Sequence, residues 1–231
     1  MNIAVIPARG GSKRIPRKNI KDFCGKPMIV WSIEAALESH CFERVIVSTD
    51  DDEIAAVALD YGAEVPFMRP ESLSDDYVGT AAVVSHAARW LIEHGERLEN
   101  VCCLYATAPF VRSIDLQRAL ELLQTQECDY AFSVTSFAFP IQRAIRITQT
   151  QRVEMFQPEH FTTRSQDLEE AYHDAGQFYW GITQAWLDEK PLFSDHSAPV
   201  ILPRHRVQDI DTQEDWQCAE WLFKALQSAG E

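Results

Sequence analysis

The chain has 231 residues, 46% of them hydrophobic, which supplies a packed core and argues against disorder as its main state. Lysine and arginine number 21 against 35 aspartates and glutamates, a net charge of −14 that argues against nucleic acid as the main partner. No run of about 18 uncharged apolar residues occurs and Met1–Pro7 lacks a basic lead-in, so neither a membrane span nor a secretory leader is expected.

Asn2–Ile6 is a short apolar run stopped by Pro7 and reads as a buried strand. After a basic, glycine-containing loop, Pro27–Glu38 carries apolar residues at helical spacing, with Pro27 suited to a first turn. Arg44–Ser48 is β-branched and predicts a second strand; Asp52–Tyr61 predicts a helix closed by Gly62. Glu64–Arg69 predicts a third strand, Thr80–His94 a helix, Val101–Thr107 a fourth strand and Ile114–Gln124 another helix. This alternation predicts an α/β fold of the Rossmann-like kind, with a mostly parallel central sheet and helices on both faces. Tyr130–Ser136 continues the pattern, but residues 137–173 do not fit a further βαβ unit. They read either as a small dimerisation insertion or as a long surface loop within a single domain of residues 1–231. Gln177–Ile182 and Val200–Leu202 regain strand character. A last helix follows Thr212, with Asp215 three residues on in a capping-box arrangement. The six cysteines form no C-x-x-C pair and are read as reduced core thiols of a cytoplasmic protein.

The strongest signal is Pro7–Asn19, directly after the first strand, where open α/β sheets bind ligands. Gly10 and Gly11 allow close backbone approach and offer bare N–H groups. Arg9, Lys13, Arg14, Arg17 and Lys18 concentrate cations in an acidic chain, which suits a triphosphate. The spacing is neither that of a P-loop nor that of a dinucleotide fingerprint. The segment resembles the A-R-x-x-S-K-x-x-P-x-K-N signature of the CMP-sugar synthetases, in particular the CMP-sialic acid synthetase (acylneuraminate cytidylyltransferase) family. Arg9, Ser12, Lys13, Pro16, Lys18 and Asn19 all fall in place. The resemblance implies that Arg9 and Lys18, with Lys13, stabilise the phosphates and departing pyrophosphate. It further implies that Ser12 contacts phosphate, that Asn19 contacts the ribose, and that Ala8 and Gly10 border the nucleotide.

The resemblance continues downstream. Arg69 and Thr80 stand at the spacing of a family Arg and Ser that read cytosine; Thr80 is also suited to cap the helix that it begins. Leu104–Pro109 is similar to L-Q-x-T-S-P: Thr107 and Pro109 fit, but Tyr105 replaces a glutamine of the sugar pocket, which favours a less hydroxylated substrate face. Gln177 and Tyr179 lie in the segment taking the place of N-G-x-x-Y and are candidate substrate contacts, Tyr179 reading equally as a solvent-facing strand residue. Asp209 and Asp211, two apart in an extended segment, point to one side and would make a hard oxygen site for Mg²⁺ beside a triphosphate. A lone D-x-D is commonly a solvated pair; here the family's D-x-D-T stands in the same order, implying Asp209 and Asp211 as metal ligands and Asp211 as catalytic.

Tyr105, Ser136–Pro140 and His173–Trp180 most resemble the pseudaminic acid cytidylyltransferases. The expected reaction is attack by the anomeric hydroxyl of a nine-carbon sugar acid on the α-phosphorus of CTP, releasing pyrophosphate. Positioning and charge stabilisation would carry the catalysis. Arg143, Arg146 and Arg164 are candidates to hold the sugar carboxylate or are surface charges. The alternatives are an N-acetylneuraminate or ketodeoxyoctonate cytidylyltransferase and, from another class, a regulatory protein that binds nucleotide without turnover. The family resemblance also implies a homodimer, with residues 137–173 crossing to the partner.

Overall fold

The computed structural model describes residues 1–75 and 78–230. In chain order the elements are β1 (Asn2–Pro7), a tight hairpin of β2 (Asp22–Phe23) and β3 (Lys26–Pro27), α1 (Met28–Ser39), β4 (Arg44–Ser48), α2 (Asp52–Asp60), α3 (Thr80–Glu93) and β5 (Asn100–Leu104). They continue with α4 (Ser113–Thr125), β6 (Tyr130–Ser136), β7 (Ile145–Ile147), β8 (Val153–Met155), β9 (Tyr172–Ile182), α5 (Thr183–Leu187), β10 (Ser197–Ile201) and α6 (Gln213–Ala229).

The central sheet has the order β10-β6-β9-β5-β1-β4. Its ladders are parallel except for β9, which runs antiparallel between β5 and β6. Successive strand residues point to opposite faces, so a strand apolar throughout must be covered twice. In β1, Ala4 and Ile6 join the helices α1, α2 and α4 on one face, while Ile3 and Val5 meet α3 and α5 on the other. Cys102 and Cys103 split in the same way and are buried and unpaired. A third cluster packs Trp216 and Phe223 of α6 on Ile15, Phe23, Met28 and Phe110, anchoring the phosphate-loop region against the C-terminal helix.

The sheet and helices agree with the sequence reading, with instructive differences. Glu64–Arg69 is no regular strand: its backbone forms only isolated bridges, Glu64 with Ile46 of β4 and Met68 with Thr49 just beyond it. Pro66 lies between them and has no N–H to donate to a ladder. β5 stops at Leu104, leaving Tyr105–Thr107 in the loop beyond the strand. β9 is longer than expected, starting at Tyr172. Gly79, not Thr80, occupies the N-cap of α3, so the Thr80 side chain is not used as a cap. The capping box at Thr212 and Asp215 is present. Residues 137–171 carry the small β7–β8 hairpin and short 3₁₀ turns away from the main sheet.

Candidate active site

Since β1, β4 and β5 run parallel, their carboxyl ends meet at one edge, and the loops that leave them lie side by side. The Ala8 N–H donates to the Ser48 carbonyl and the Gly10 N–H to Asp50 Oδ1, at 3.0 and 2.9 Å. Asn19 Nδ2 closes the loop on the Arg9 carbonyl at 3.0 Å. Arg17 sits in the left-handed region at φ 56° and is held there by ion pairs to Asp51 and Glu53. Asp51 also caps α2, accepting the N–H groups of Glu53 and Ile54 at 3.0 Å. The Arg17 hydrogen bond holds the Asp51 carboxyl below its ordinary range. A Cβ on Gly10 would come within 2.6 Å of Asp51 Oδ2, so glycine is needed there for space. Thus Asp50 and Asp51, given no role on sequence grounds, fix the loop's path.

The loop walls a cavity of about 470 Å³. Arg9, Ser12, Lys13, Arg14, Lys18 and Asn19 line it from the loop. Thr80, Tyr105, Thr107 and Asp211 line it from elsewhere in the chain. Lys18 Nζ donates to the Ile210 carbonyl at 2.7 Å and lies 3.6 Å from Asp211, which Arg14 contacts at 2.9 Å. These contacts join the two motifs across more than half the sequence. Ile210 is buried, which turns the alternating Asp209 and Asp211 away from the core. Burial, and then the charge of Asp211, pushes the Asp209 carboxyl above its ordinary value.

A second cavity of about 560 Å³ shares Tyr105 and Thr107 with the first and adds His173, Asp174, Tyr179 and Asp209. Tyr179 donates to Asp174 Oδ2 at 2.6 Å, and Thr80 Oγ1 lies 3.3 Å from the Tyr105 hydroxyl. The two tyrosine rings are 5.3 Å apart. Burial raises both phenols, so each stays protonated at neutral pH. Tyr179 does not face solvent: its body is buried between strands while its hydroxyl reaches the cavity wall.

Two candidates sit behind the cavities rather than on them. Gln177 is 3% exposed, gives its Nε2 to the Arg206 carbonyl and lines neither cavity. This candidate substrate contact therefore stands behind the cavity wall, not on it. Its neighbours Phe178 and Trp180 pack into the core, and Arg206 itself is held by buried Asp115. Arg69 is 7% exposed and donates to the Ser48 carbonyl and hydroxyl, stiffening the end of β4. Burial brings its guanidinium down to about 10, with Asp50 opposing the fall. Arg143, Arg146 and Arg164 bond to Ser165, Glu154 and Asp167 within residues 137–171 and line neither cavity. Asp174 was likewise missed by motif reading; its signal was a carboxylate five residues before a tyrosine in β9.

A family model described as cytidylyltransferase matches residues 3–228. The chain is 50% identical to a pseudaminic acid cytidylyltransferase of Campylobacter jejuni over 96% of both chains. It is 34% identical to a CMP-N,N'-diacetyllegionaminic acid synthase of Legionella pneumophila over 98% of both. In fold it is similar to a CMP:2-keto-3-deoxy-manno-octonic acid synthetase complexed with CTP, with a TM-score of 0.68, 18% identity and coverage of 97% of this chain and 98% of the other. With the two motifs joined at one cavity and the match running nearly end to end, the chain belongs to the cytidylyltransferase family.

Proposed function

We propose that the protein transfers CMP from CTP to the anomeric hydroxyl of pseudaminic acid, releasing pyrophosphate. The observation that carries this reading is the meeting of two cavities at Tyr105 and Thr107. One is lined by lysines and arginines, as a triphosphate requires; the other has no lysine or arginine in its described lining and presents phenol, hydroxyl and carboxylate groups. A sugar hydroxyl in the second can therefore face a phosphate in the first. The 50% identical relative supports pseudaminic acid as the sugar, and Tyr105 suits a substrate with few hydroxyls.

In this reading Arg9, Lys13 and Lys18 offset the triphosphate's charge and the charge gained by the departing pyrophosphate. Ser12 supplies a hydroxyl to the phosphates, and Asn19, tied to the Arg9 carbonyl, braces the ribose side. Asp209 and Asp211 would hold Mg²⁺. The fit is good for this ion: it takes one or two carboxylates and completes its shell with phosphate oxygens and water. A divalent cation would also offset the Asp211 charge that, after burial, raises the Asp209 carboxyl. When bound, the ion supplies positive charge beside the reacting phosphate.

Residues 137–173 form the dimer contact in this reading. Phe139, Ile147, Val153, Phe156 and Phe161 are 61–82% exposed there, too much apolar surface for a solvated loop. The sugar's carboxylate then finds its cation on the partner's arm, whose arginines otherwise serve only local pairs. With unpaired cysteines and a nucleotide substrate, we place the enzyme in the cytoplasm.

The test is pyrophosphate release from CTP and Mg²⁺ with pseudaminic acid and, in parallel, N-acetylneuraminic acid. Preference for pseudaminic acid is expected. Preference for N-acetylneuraminic acid keeps the reaction and overturns the sugar; release with neither overturns the reading.

A further inference from the structure

We propose that Arg206 is a positioning residue for the reaction: clamped by Asp115 and Gln177, it sets where Asp209 stands in the carboxylate pair. The inference rests on Asp209 and Asp211 as the Mg²⁺ ligands proposed above. Arg206 lines neither cavity of the site, so whatever it does there passes through the chain. Its guanidinium donates from both Nη atoms to the oxygens of Asp115 in α4, at 2.5 and 3.5 Å. The two residues are 6% and 1% exposed. Taking two charges out of water can cost more than their attraction returns, and apolar residues of similar size often fill such a space as well or better. A pair kept there serves position more than stability. The main chain of Arg206 is gripped separately: its carbonyl accepts Gln177 Nε2 from β9.

Arg206 closes the 3₁₀ turn Arg204–Arg206 that follows β10, and Asp209 stands three residues further on. The two aspartates are tied from opposite ends of one short segment. Asp211 is fixed from the C-terminal side, its N–H donating to Asp215 Oδ2 of α6 at 3.1 Å. The Ile210 carbonyl takes Lys18 Nζ at 2.7 Å, and the Ile210 side chain enters the cluster under α6. On the N-terminal side Val207 packs against the core, and Arg206 supplies the buried polar anchor. Mg²⁺ demands near-ideal geometry of its oxygen ligands, so moving one aspartate relative to the other weakens its hold. Asp115 and Gln177, from α4 and β9, thus bear on a cavity that neither of them lines.

The test is equilibrium dialysis of labelled CTP against the protein without sugar, in EDTA and over a Mg²⁺ titration, so that no turnover enters the readout. Asp115→Leu with Arg206→Met replaces the ion pair by apolar residues of similar size and is expected to leave the denaturant midpoint unchanged or raised. In that variant CTP binding in EDTA should match the unaltered protein, while the Mg²⁺ concentration that gives half of the metal-dependent gain rises about tenfold. Gln177→Met, with the ion pair intact, is expected to shift it the same way by about threefold. It keeps the test open should the double variant fail to fold. Mere damage to the fold weakens CTP alike with and without Mg²⁺. That outcome, or variants that titrate as the unaltered protein does while Asp209→Asn shifts, overturns the positioning role and leaves the metal pair standing. An Asp209→Asn variant that titrates normally, or CTP binding indifferent to Mg²⁺, overturns the metal pair and this inference together. Transfer of CMP is judged apart from both, by pyrophosphate release in the unaltered protein.

Discussion

The phosphate loop and the 137–171 arm are both irregular segments, and they behave as opposites. The loop is tied at every few residues: Ala8 to Ser48, Gly10 to Asp50, Arg17 to Asp51, Asn19 to Arg9 and Lys18 to Ile210. The arm ties mainly to itself, through the β7–β8 ladder and local arginine pairs, and leaves large apolar side chains in solvent. A segment that must hold phosphate oxygens in place needs its conformation fixed before the ligand arrives. A segment with exposed phenylalanines and isoleucines presents apolar surface that, in the proposed reading, a partner chain covers. Irregular structure therefore marks two different functions here, distinguishable by where its hydrogen bonds and apolar groups go.

That contrast breaks first at the loop. Asp211→Ala removes the carboxylate that Arg14 and Lys18 contact, and we expect kcat/KM to fall on the order of a hundredfold to a thousandfold, with the circular dichroism spectrum unchanged. Near-normal turnover at limiting Mg²⁺ would remove Asp211 from the site. Gly10→Ala drives a Cβ against Asp51, whose carboxylate is pinned by Arg17 and two backbone N–H groups. Denaturant titration should show a loss of about 1–3 kcal/mol, together with reduced CTP affinity. Asp51→Ala opens that space but removes the α2 cap and the Arg17 tether, costing about 1–2 kcal/mol by the same measurement. Combined with Gly10→Ala it should cost less than the sum, because the clash is gone.

The arm should answer differently. Phe139→Asp with Ile147→Asp is expected to change chain unfolding by less than about 0.5 kcal/mol per site once monomeric, since both side chains are exposed. The same variant should elute as a monomer where the unaltered protein elutes as a dimer, and should lose activity through KM for the sugar. An unaltered protein that is monomeric at micromolar concentration, yet fully active, would show the arm to be an ordinary surface loop.

The smallest expected effect is on pH dependence. The folded Asp51 carboxyl is held below its ordinary value, so its pairing stabilises fully above the unfolded value of about 4 and is lost as pH falls through the folded value. The cost of Asp51→Ala relative to the unaltered chain should therefore shrink between pH 7 and pH 3; a cost that stays constant would mean that the cap's neutral contacts carry it.

The sequence made the site's two charged poles legible because each is local: cations packed after β1, and carboxylates two apart before α6. Alternation also placed most helices and strands, down to the Thr212 capping box. The direction of β9 was not legible, because a run apolar on both faces reads the same in either direction. The burial of Gln177 was hidden for a related reason: position near Tyr179 in sequence does not show that its amide donates to the Arg206 carbonyl. Asp51 was passed over because its partner, Arg17, comes from another segment and only the tertiary structure joins them; Asp174 has its partner, Tyr179, in the same strand, but the sequence does not show that both reach one cavity.

The most direct test of the account is to follow the α-phosphorus. CTP radiolabelled at the α-position, incubated with pseudaminic acid, Mg²⁺ and the protein, should pass its label to a new CMP-sugar, while label at the γ-position should leave only as pyrophosphate. Label that stays in CTP, or appears as free CMP without a sugar conjugate, would contradict the joining of the two cavities at Tyr105 and Thr107 into one reaction site.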